Sequence, residues 1–526
     1  MKVIEPVHHD VGIRPAEPRD GLIVVSNREP YEHLIRKGHL ICQRTDGGLT
    51  SALDPVLKRL GGVWVAWGSG EADRSAAGPD GNLAVPPESP AYLLRRVWLT
   101  PEEIKGGYQG YANEVLWPLC HITLDRVAYR QRYWTDYVEL NRRFAESVIE
   151  ELRTRSRLVW VHDFHLALLP RFIKDVMPTT TVALFWHIPW PGPDVFRVLP
   201  ESREILTSLL AADSVVFQTA GYARAFVECA RVFVQADFDE AERAITFNGH
   251  TTRVTAQGVS IDIGTFTSQA RAPQTVRLMA ALRRQIGGGS GMRIGLGVDR
   301  LDYTKGLLKR FWAIDQFFTR YPEYCGRFTF LQIAIPTRKD VDTYRRYRKR
   351  IWQTVIEINE RHRPSGESLP EKWRPILYRE DRIAFDLLAA YYRLADLAVV
   401  SSVNDGMNLV AKEYVASQVD ESGVLLISQM AGAAEELTEA LIINPYDAEG
   451  VADSIRYALE MPADERRRRM GAMRAYLQAH DLHAWAEGCL SNVGVSINGV
   501  DWMGATPSPD IARTRDGMED VVKLKR

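Results

Sequence analysis

The sequence predicts an α/β protein of two domains, each a mainly parallel sheet flanked by helices. Short β-rich runs alternate with amphipathic helical stretches along nearly the whole chain. Many of these runs are continuously apolar, as strands covered on both faces of a parallel sheet are. The 526 residues also exceed what one hydrophobic core usually serves.

The first series of expected strands is Leu22–Asn27, Val63–Trp67, Leu158–His162, Thr180–Trp186 and Ser214–Gln218. A second series follows at Met292–Val298, Phe328–Ile333, Ile376–Tyr378, Leu397–Val400 and Val424–Ser428. Helical periodicity marks Tyr137–Arg153, Leu307–Arg320, Ile383–Leu394 and Ala448–Leu459. Between the two series lie the polar stretch Ser268–Thr275 and the run Gly287-Gly288-Gly289-Ser290-Gly291, so a hinge is expected near 260–290. The expected domains are 21–265, completed by a helix at 480–500, and 266–480. Residues 1–20, with three prolines and four acidic residues, read as a mobile lead-in, and 502–526 as a flexible tail. Two such domains facing each other would place their C-terminal strand ends at a common cleft, where ligands bind in open sheets.

Composition narrows the classes. The chain is 45% apolar and 25% charged, the balance of an ordinary globular protein. Sixty-six Lys and Arg against 67 Asp and Glu give a net charge of −1, with no global pull toward nucleic acid or anionic membrane. The opening residues hold no apolar signal core, and no run approaches a membrane span. Five scattered cysteines with no CxxC pair suit reduced thiols, so a cytoplasmic protein is expected.

Two segments carry most of the chemistry. In VDRLDYTKG (298–306), directly after the first strand of the second series, Arg300 and Lys305 sit at the strand's C-terminal end. Two cations there suit a diphosphate leaving group, whose negative charge grows in the transition state. In NDGMNLVAKE (404–413), a strand leads through a glycine turn into a helix expected to open near Met407. Backbone N–H groups at such a start attract an anion, and Glu413, one to two turns in, can accept from both hydroxyls of a ribose. Taken singly, each segment is also compatible with a solvated turn or a plain helix cap.

Together these strings closely resemble the donor-site motifs of the trehalose-6-phosphate synthase family. The resemblance runs from about Val24 to about Asn492 through VVSNR, GGL, VLWP, WVHDFHL, HIPWP, RLDYTKG, DGMNLVAKEYV, SQMAGAAEEL and NPYD. It implies the GT-B fold, two Rossmann-like domains with parallel sheets facing a central cleft. It also implies transfer of glucose, with retention, from a nucleotide-glucose donor to glucose 6-phosphate, without metal or other cofactor. By the same resemblance Arg28, Tyr108, Trp117, Asp163 and Arg338 are the acceptor-binding residues. Gly47, Gly48, Met407, Asn408, Leu409, Val410 and Glu413 surround the donor. His187 lies beside the anomeric carbon, Arg300 and Lys305 hold the diphosphate, and Asp405 lies beside the donor hexose. The implied partners are the two substrates and a possible second copy of the chain, with no nucleic acid and no membrane.

The chain departs from the family's pattern in places. Asn404 stands where Arg is frequent before Asp-Gly-Met-Asn, and a donor-base phenylalanine is replaced near Ile383, which leaves the nucleobase open. The opening Arg28-Glu-Pro-Tyr31 is similar to that of glucosylglycerol-phosphate synthases, which makes glycerol 3-phosphate the alternative acceptor. A catalytically silent sugar-phosphate sensor on the same fold is a further alternative, although His187, Arg300, Lys305 and Glu413 are all present.

Other suggestive strings read as structural. Asp237-Phe-Asp239 is expected to be a solvated helix start rather than a metal motif. His162 and His165 are expected to be core or orienting histidines. Arg466–Arg469 and Tyr344–Arg350 are expected to be solvated helix faces.

Overall fold

The computed structural model describes residues 21–497 apart from 46, 79–80, 155–157, 287–290, 338–341 and 364–372. The chain forms two compact units that divide at Val259/Ser260 and again at Asp481/Leu482. Among the described residues, 482–497 therefore belong with the first unit.

The strands of the first unit are β1 (Leu22–Arg28), β2 (Tyr31–Arg36), β3 (His39–Arg44), β4 (Val63–Trp67), β5 (Asn82–Val85) and β6 (Tyr92–Val97). There follow β7 (Leu158–His162), β8 (Thr181–Trp186), β9 (Ser214–Phe217), β10 (Asp237–Asp239), β11 (Ala244–Phe247) and β12 (His250–Ala256). Ten of them form one sheet in the order β10-β11-β12-β9-β8-β7-β1-β4-β6-β5, and β2 and β3 form a separate hairpin. The centre is parallel from β12 to β6, and antiparallel pairs close both edges. The central strands β7 and β9 are buried along their whole length, which is why they read as unbroken apolar runs.

The second unit holds a six-stranded, all-parallel sheet. Its strands are β13 (Arg293–Arg300), β14 (Phe328–Ile335), β15 (Ile376–Arg379), β16 (Leu397–Val400), β17 (Val424–Ser428) and β18 (Leu441–Ile443). Their order is β15-β14-β13-β16-β17-β18. Each sheet thus reverses direction once. In the first the chain builds outward from β1 through β4 to β6, then returns to lay β7 on the other side of β1. In the second it builds from β13 to β15, then returns to place β16 beside β13. Such reversal points leave a crevice at the strands' C-terminal ends, where open α/β sheets bind ligands.

Several expectations need correction. Asp237–Asp239 is not a helix start: it is an edge strand paired antiparallel with Ala244–Thr246. Its last carboxylate caps the following turn, accepting from the N–H groups of Ala241 and Glu242 at 2.9 and 3.1 Å. Arg466 is not solvated. It is buried, and donates to the carbonyls of Ala458, Leu459 and Met461 that end the helix Ala448–Glu460. Tyr344 and Tyr347 are likewise buried, whereas Arg345, Arg346 and Arg348–Arg350 are exposed. No described helix is long and apolar enough to cross a membrane, and all five cysteines are free thiols.

Candidate active site

In the first unit the C-terminal ends of β1, β7 and β8 bring Arg28, Asp163 and His187 to one edge of the sheet. Ser26 pairs with His162 and His162 with Phe185, so the three chain exits lie side by side. Arg28 is exposed and makes no ion pair among the described residues.

Asp163 sits at φ 78°, ψ 166°, a backbone region nearly reserved for glycine. Its neighbours hold it there. Its N–H donates to the Phe185 carbonyl at 2.8 Å, and its carboxylate accepts from the His187 N–H at 3.2 Å. The carboxylate is also 3.7 Å from His165 Nδ1.

His187 forms a ring-to-ring N–H···N bond with His162, Nε2 to Nδ1 at 3.1 Å. Burial pushes the His187 imidazole down to about 3 and the His162 imidazole well below its ordinary value. Both rings are therefore neutral at physiological pH. His162 packs against Trp160 and Trp485, with centroids 4.5 and 6.3 Å away, and Gln218 donates to the His187 carbonyl at 3.2 Å.

Tyr108 and Trp117 lie along a segment with unusual winding. Glu103–Leu116 is a π-helix, and the Trp117 N–H donates to Ala112, five residues back. Wide turns of this kind recur at functional sites. Tyr108 stacks on His165 at 5.7 Å, and buried Trp117 lies 4.0 Å from the His121 ring. Gly47 and Gly48 open the helix α1 (Gly48–Leu60), which has no side-chain cap and no acidic residue in its first turn. A Cβ on Gly47 would meet only Thr50 Oγ1, at 3.4 Å. The protein's own packing therefore does not require glycine there, whereas close approach of a ligand to the backbone would.

The second unit gathers its residues at the β13/β16 reversal. Arg300 is the last residue of β13, and Lys305 ends the short turn that follows. Gly306 is left-handed at φ 67°, and a Cβ there would collide with the Ser401 carbonyl, so only glycine lets the two loops touch. Across that contact Lys305 Nζ reaches Asp405 Oδ2 at 2.5 Å. The same oxygen accepts from Ser402 Oγ and Asn408 Nδ2, both at 3.0 Å.

The following helix opens at Leu409, two residues later than the sequence suggests. Asn408, left-handed at φ 84°, is its N-cap and accepts from the Ala411 N–H at 3.0 Å. The Met407 carbonyl accepts from Ala433, which pins this turn to the SQMAGAAEEL run. Leu409 and Val410 are half-buried on the first turn. Glu413, on the same helix, accepts from Tyr392 OH at 2.7 Å, and burial raises its carboxyl. Beneath the loops, buried Arg310 joins Asp299, Gln332 and Ser401 at 2.5, 2.8 and 3.0 Å and so ties β13, β14 and β16 together.

Of the residues singled out from the sequence, Arg28, Asp163 and His187 thus share one sheet edge. Arg300, Lys305, Asp405, Met407 and Asn408 share another, with Glu413 on the adjoining helix. Arg338 lies outside the described residues. The sequence alone assigns no partner to His187 and no role to Ser402. His162 ends an otherwise apolar strand immediately before Asp163, and that buried polar position is the available signal.

Two Rossmann-like parallel sheets, each with polar residues at its reversal point, define a GT-B glycosyltransferase architecture. The chain belongs to glycosyltransferase family 20, whose family profile matches residues 20–494. It is 35% identical over 476 residues to the trehalose-6-phosphate synthase of Mycobacterium marinum, covering 89% of this chain and 92% of that relative. It is 34% identical over 499 residues to the α,α-trehalose-phosphate synthase [UDP-forming] A of Dictyostelium discoideum, covering 94% of this chain but 65% of that longer relative. Among solved structures it resembles a UDP-forming α,α-trehalose-phosphate synthase from Burkholderia xenovorans in complex with glucose-6-phosphate. That match has TM-score 0.79 and 30% identity, covering 90% of this chain and all of that one. The E. coli trehalose-6-phosphate structure bound with UDP-2-fluoro glucose matches with TM-score 0.78 and 31% identity, over 90% of this chain and 98% of that one.

Proposed function

We propose that this chain transfers glucose from UDP-glucose to glucose 6-phosphate, with retention, giving α,α-trehalose 6-phosphate. The observation that carries the reading is the β13/β16 reversal point. There Arg300, Lys305, the Asp405 carboxylate and the Asn408-capped helix meet in the one place where an open sheet receives a nucleotide. The relatives bring UDP and glucose 6-phosphate to the reading.

In this scheme Arg300 and Lys305 hold the diphosphate and stabilise its growing charge, and Glu413 accepts from the ribose. Asp405 holds Lys305 in place before the donor arrives and lies beside the donor hexose afterwards. The α1 backbone at Gly47 and Gly48, and neutral His187, serve the donor sugar. Arg28 binds the acceptor's phosphate, while Tyr108, Trp117 and Asp163 surround its ring. The bond from the anomeric carbon to the diphosphate oxygen breaks, and the acceptor hydroxyl oxygen bonds to that carbon on the same face. Its proton passes to the departing diphosphate. The cations are side chains, so the reaction runs without metal, and turnover should survive a strong chelator.

The Arg28–Tyr31 opening, which drew the sequence reading toward glycerol 3-phosphate, supports neither acceptor. Glu29 is buried against Arg96, and Tyr31 OH donates to Asp54 at 3.2 Å, so both point into the protein. Discrimination then rests on the residues around the acceptor ring. A site that hydrogen-bonds several ring hydroxyls leaves buried polar groups unpaired with a three-carbon acceptor. The test is a matrix of UDP-, GDP- and ADP-glucose against glucose 6-phosphate and glycerol 3-phosphate, reading released nucleoside diphosphate. UDP-glucose with glucose 6-phosphate should give the highest kcat/KM. A higher value for glycerol 3-phosphate with every donor would overturn the acceptor assignment.

A further inference from the structure

Immediately after Arg28 the chain turns through Glu29 and Pro30 into β2, and this turn is anchored by a buried ionic cluster that no catalytic role absorbs. Arg96, on β6, is fully buried, as are the side chains of Glu29 and Asp73. Its Nε lies 2.8 Å from Glu29 Oε2, and its NH2 lies 2.9 Å from Asp73 Oδ1. The same guanidinium donates to the Tyr31 and Asp73 carbonyls at 3.0 and 3.1 Å and approaches His33 Nδ1 at 2.8 Å. Asp73 accepts from the N–H groups of His33 and Gly70 at 2.7 and 2.6 Å, and Glu29 from that of Ser69 at 2.8 Å. Both carboxylates thus lie against neighbouring nitrogens of one guanidinium.

Two fully buried carboxylates against one guanidinium leave a surplus negative charge with no water to solvate it. A single proton shared between them removes the surplus and turns a repulsion into a hydrogen bond. We propose that Glu29, Asp73, Arg96 and His33 form a proton-dependent clasp that fixes the turn after β1 and thereby positions Arg28. Glu29 is thus a positioning residue, and the acceptor part of the inference rests on the function proposed above for Arg28.

Burial, with Asp73 beside it, pushes the Glu29 carboxyl up to about 8, while hydrogen bonds from His33 and Glu29 hold Asp73 below the usual carboxylate range. The groups facing Glu29 are therefore Asp73, ionised; Arg96, cationic; His33 on β2; and Cys42 on β3, whose thiol burial pushes up to about 12 and so keeps neutral. Glu29 is the member that loses its proton just above neutrality. Its ionisation leaves the cluster with a net buried charge and loosens the turn.

The test uses the full chain and its Glu29→Gln variant, because an amide cannot ionise, still offers N–H donors to Asp73, and keeps one acceptor oxygen for Arg96 or Ser69. Hydrogen exchange of the amides at 29–33 and 69–73, corrected for intrinsic rates, is followed from pH 6.5 to 9.5. The KM for glucose 6-phosphate is measured in parallel. The wild type should lose protection at these amides and raise its KM several-fold above about pH 8, with kcat much less affected, while Glu29→Gln should show flat profiles. Identical profiles in the two proteins would overturn the clasp. A transition that survives in Glu29→Gln but vanishes in His33→Gln would overturn it too, placing the proton on the imidazole. If protection follows the prediction but KM does not, the positioning of Arg28 is overturned. If protection follows the prediction but glucose 6-phosphate is not turned over at any pH, the clasp stands and the acceptor reading falls.

Discussion

Asp163 allows stability and function to be separated at a single position. Its φ of 78° and ψ of 166° lie where side-chain-bearing residues are strained by about 1–3 kcal/mol. Replacement by alanine keeps that strain and removes the carboxylate. Replacement by glycine removes both, at a cost of roughly 0.5–1 kcal/mol in extra freedom of the unfolded chain. Both variants lose the 3.2 Å bond from the His187 N–H, so that loss cancels between them. Asp163→Gly should therefore be more stable than Asp163→Ala by about 1 kcal/mol, within a range of about 0–2.5 kcal/mol. For a unit of this size about 1 kcal/mol is a rise of roughly 2–4 °C in thermal midpoint, measured side by side at one scan rate. Both variants should lose about 10- to 150-fold in kcat/KM for glucose 6-phosphate, as loss of a hydrogen bond to a charged group implies. If glycine is no more stable than alanine, the backbone is not strained. If glycine retains turnover, the strain serves something other than the acceptor.

Alanine at Arg300 or Lys305 should lower kcat about 100- to 1,000-fold with the far-UV spectrum unchanged, because the leaving group's negative charge grows on going from the bound donor to the transition state; near-wild-type turnover would remove these residues from the diphosphate site. Glu413→Gln should raise the KM for UDP-glucose about 10-fold or more with a smaller change in kcat, as weakened charged hydrogen bonds to ribose require, and an unchanged KM would count against that contact. Acid should destabilise the first unit between pH 6.5 and 5. His162 and His187 stay neutral in the folded state but take up protons when unfolded, so stability is lost as pH falls, by about 1.4 kcal/mol per pH unit for each ring. A His162→Gln variant whose urea midpoint varied with pH as steeply as the wild type's would refute this.

The strands legible in the sequence are those at the sheet centres, because burial on both faces leaves an unbroken apolar run. Val63–Trp67, Leu158–His162, Leu397–Val400 and Val424–Ser428 begin and end where the pattern places them. The strands it did not mark are short, exposed or interrupted by charge. β6 carries two arginines, one of them the buried Arg96, and β18 has three residues. The reversal points are tertiary, and no local pattern encodes which strand a chain returns to. Arg466 misled because a charged run is ordinarily solvated, whereas helix-terminal carbonyls here satisfy a buried guanidinium. For the site, residue types in loops were readable, but the left-handed Asn408, the strained Asp163 and the histidine pair follow from backbone geometry that composition does not carry.

The most direct test of the central claim is the product itself. The purified chain, given UDP-glucose labelled with carbon-13 at the anomeric position and unlabelled glucose 6-phosphate, should yield one labelled disaccharide phosphate by NMR. Both anomeric protons should show the small coupling of an α linkage, and UDP should be released in equal amount. A β-linked product, or label found only in free glucose or in a glycerol glycoside when glycerol 3-phosphate is added, would contradict it.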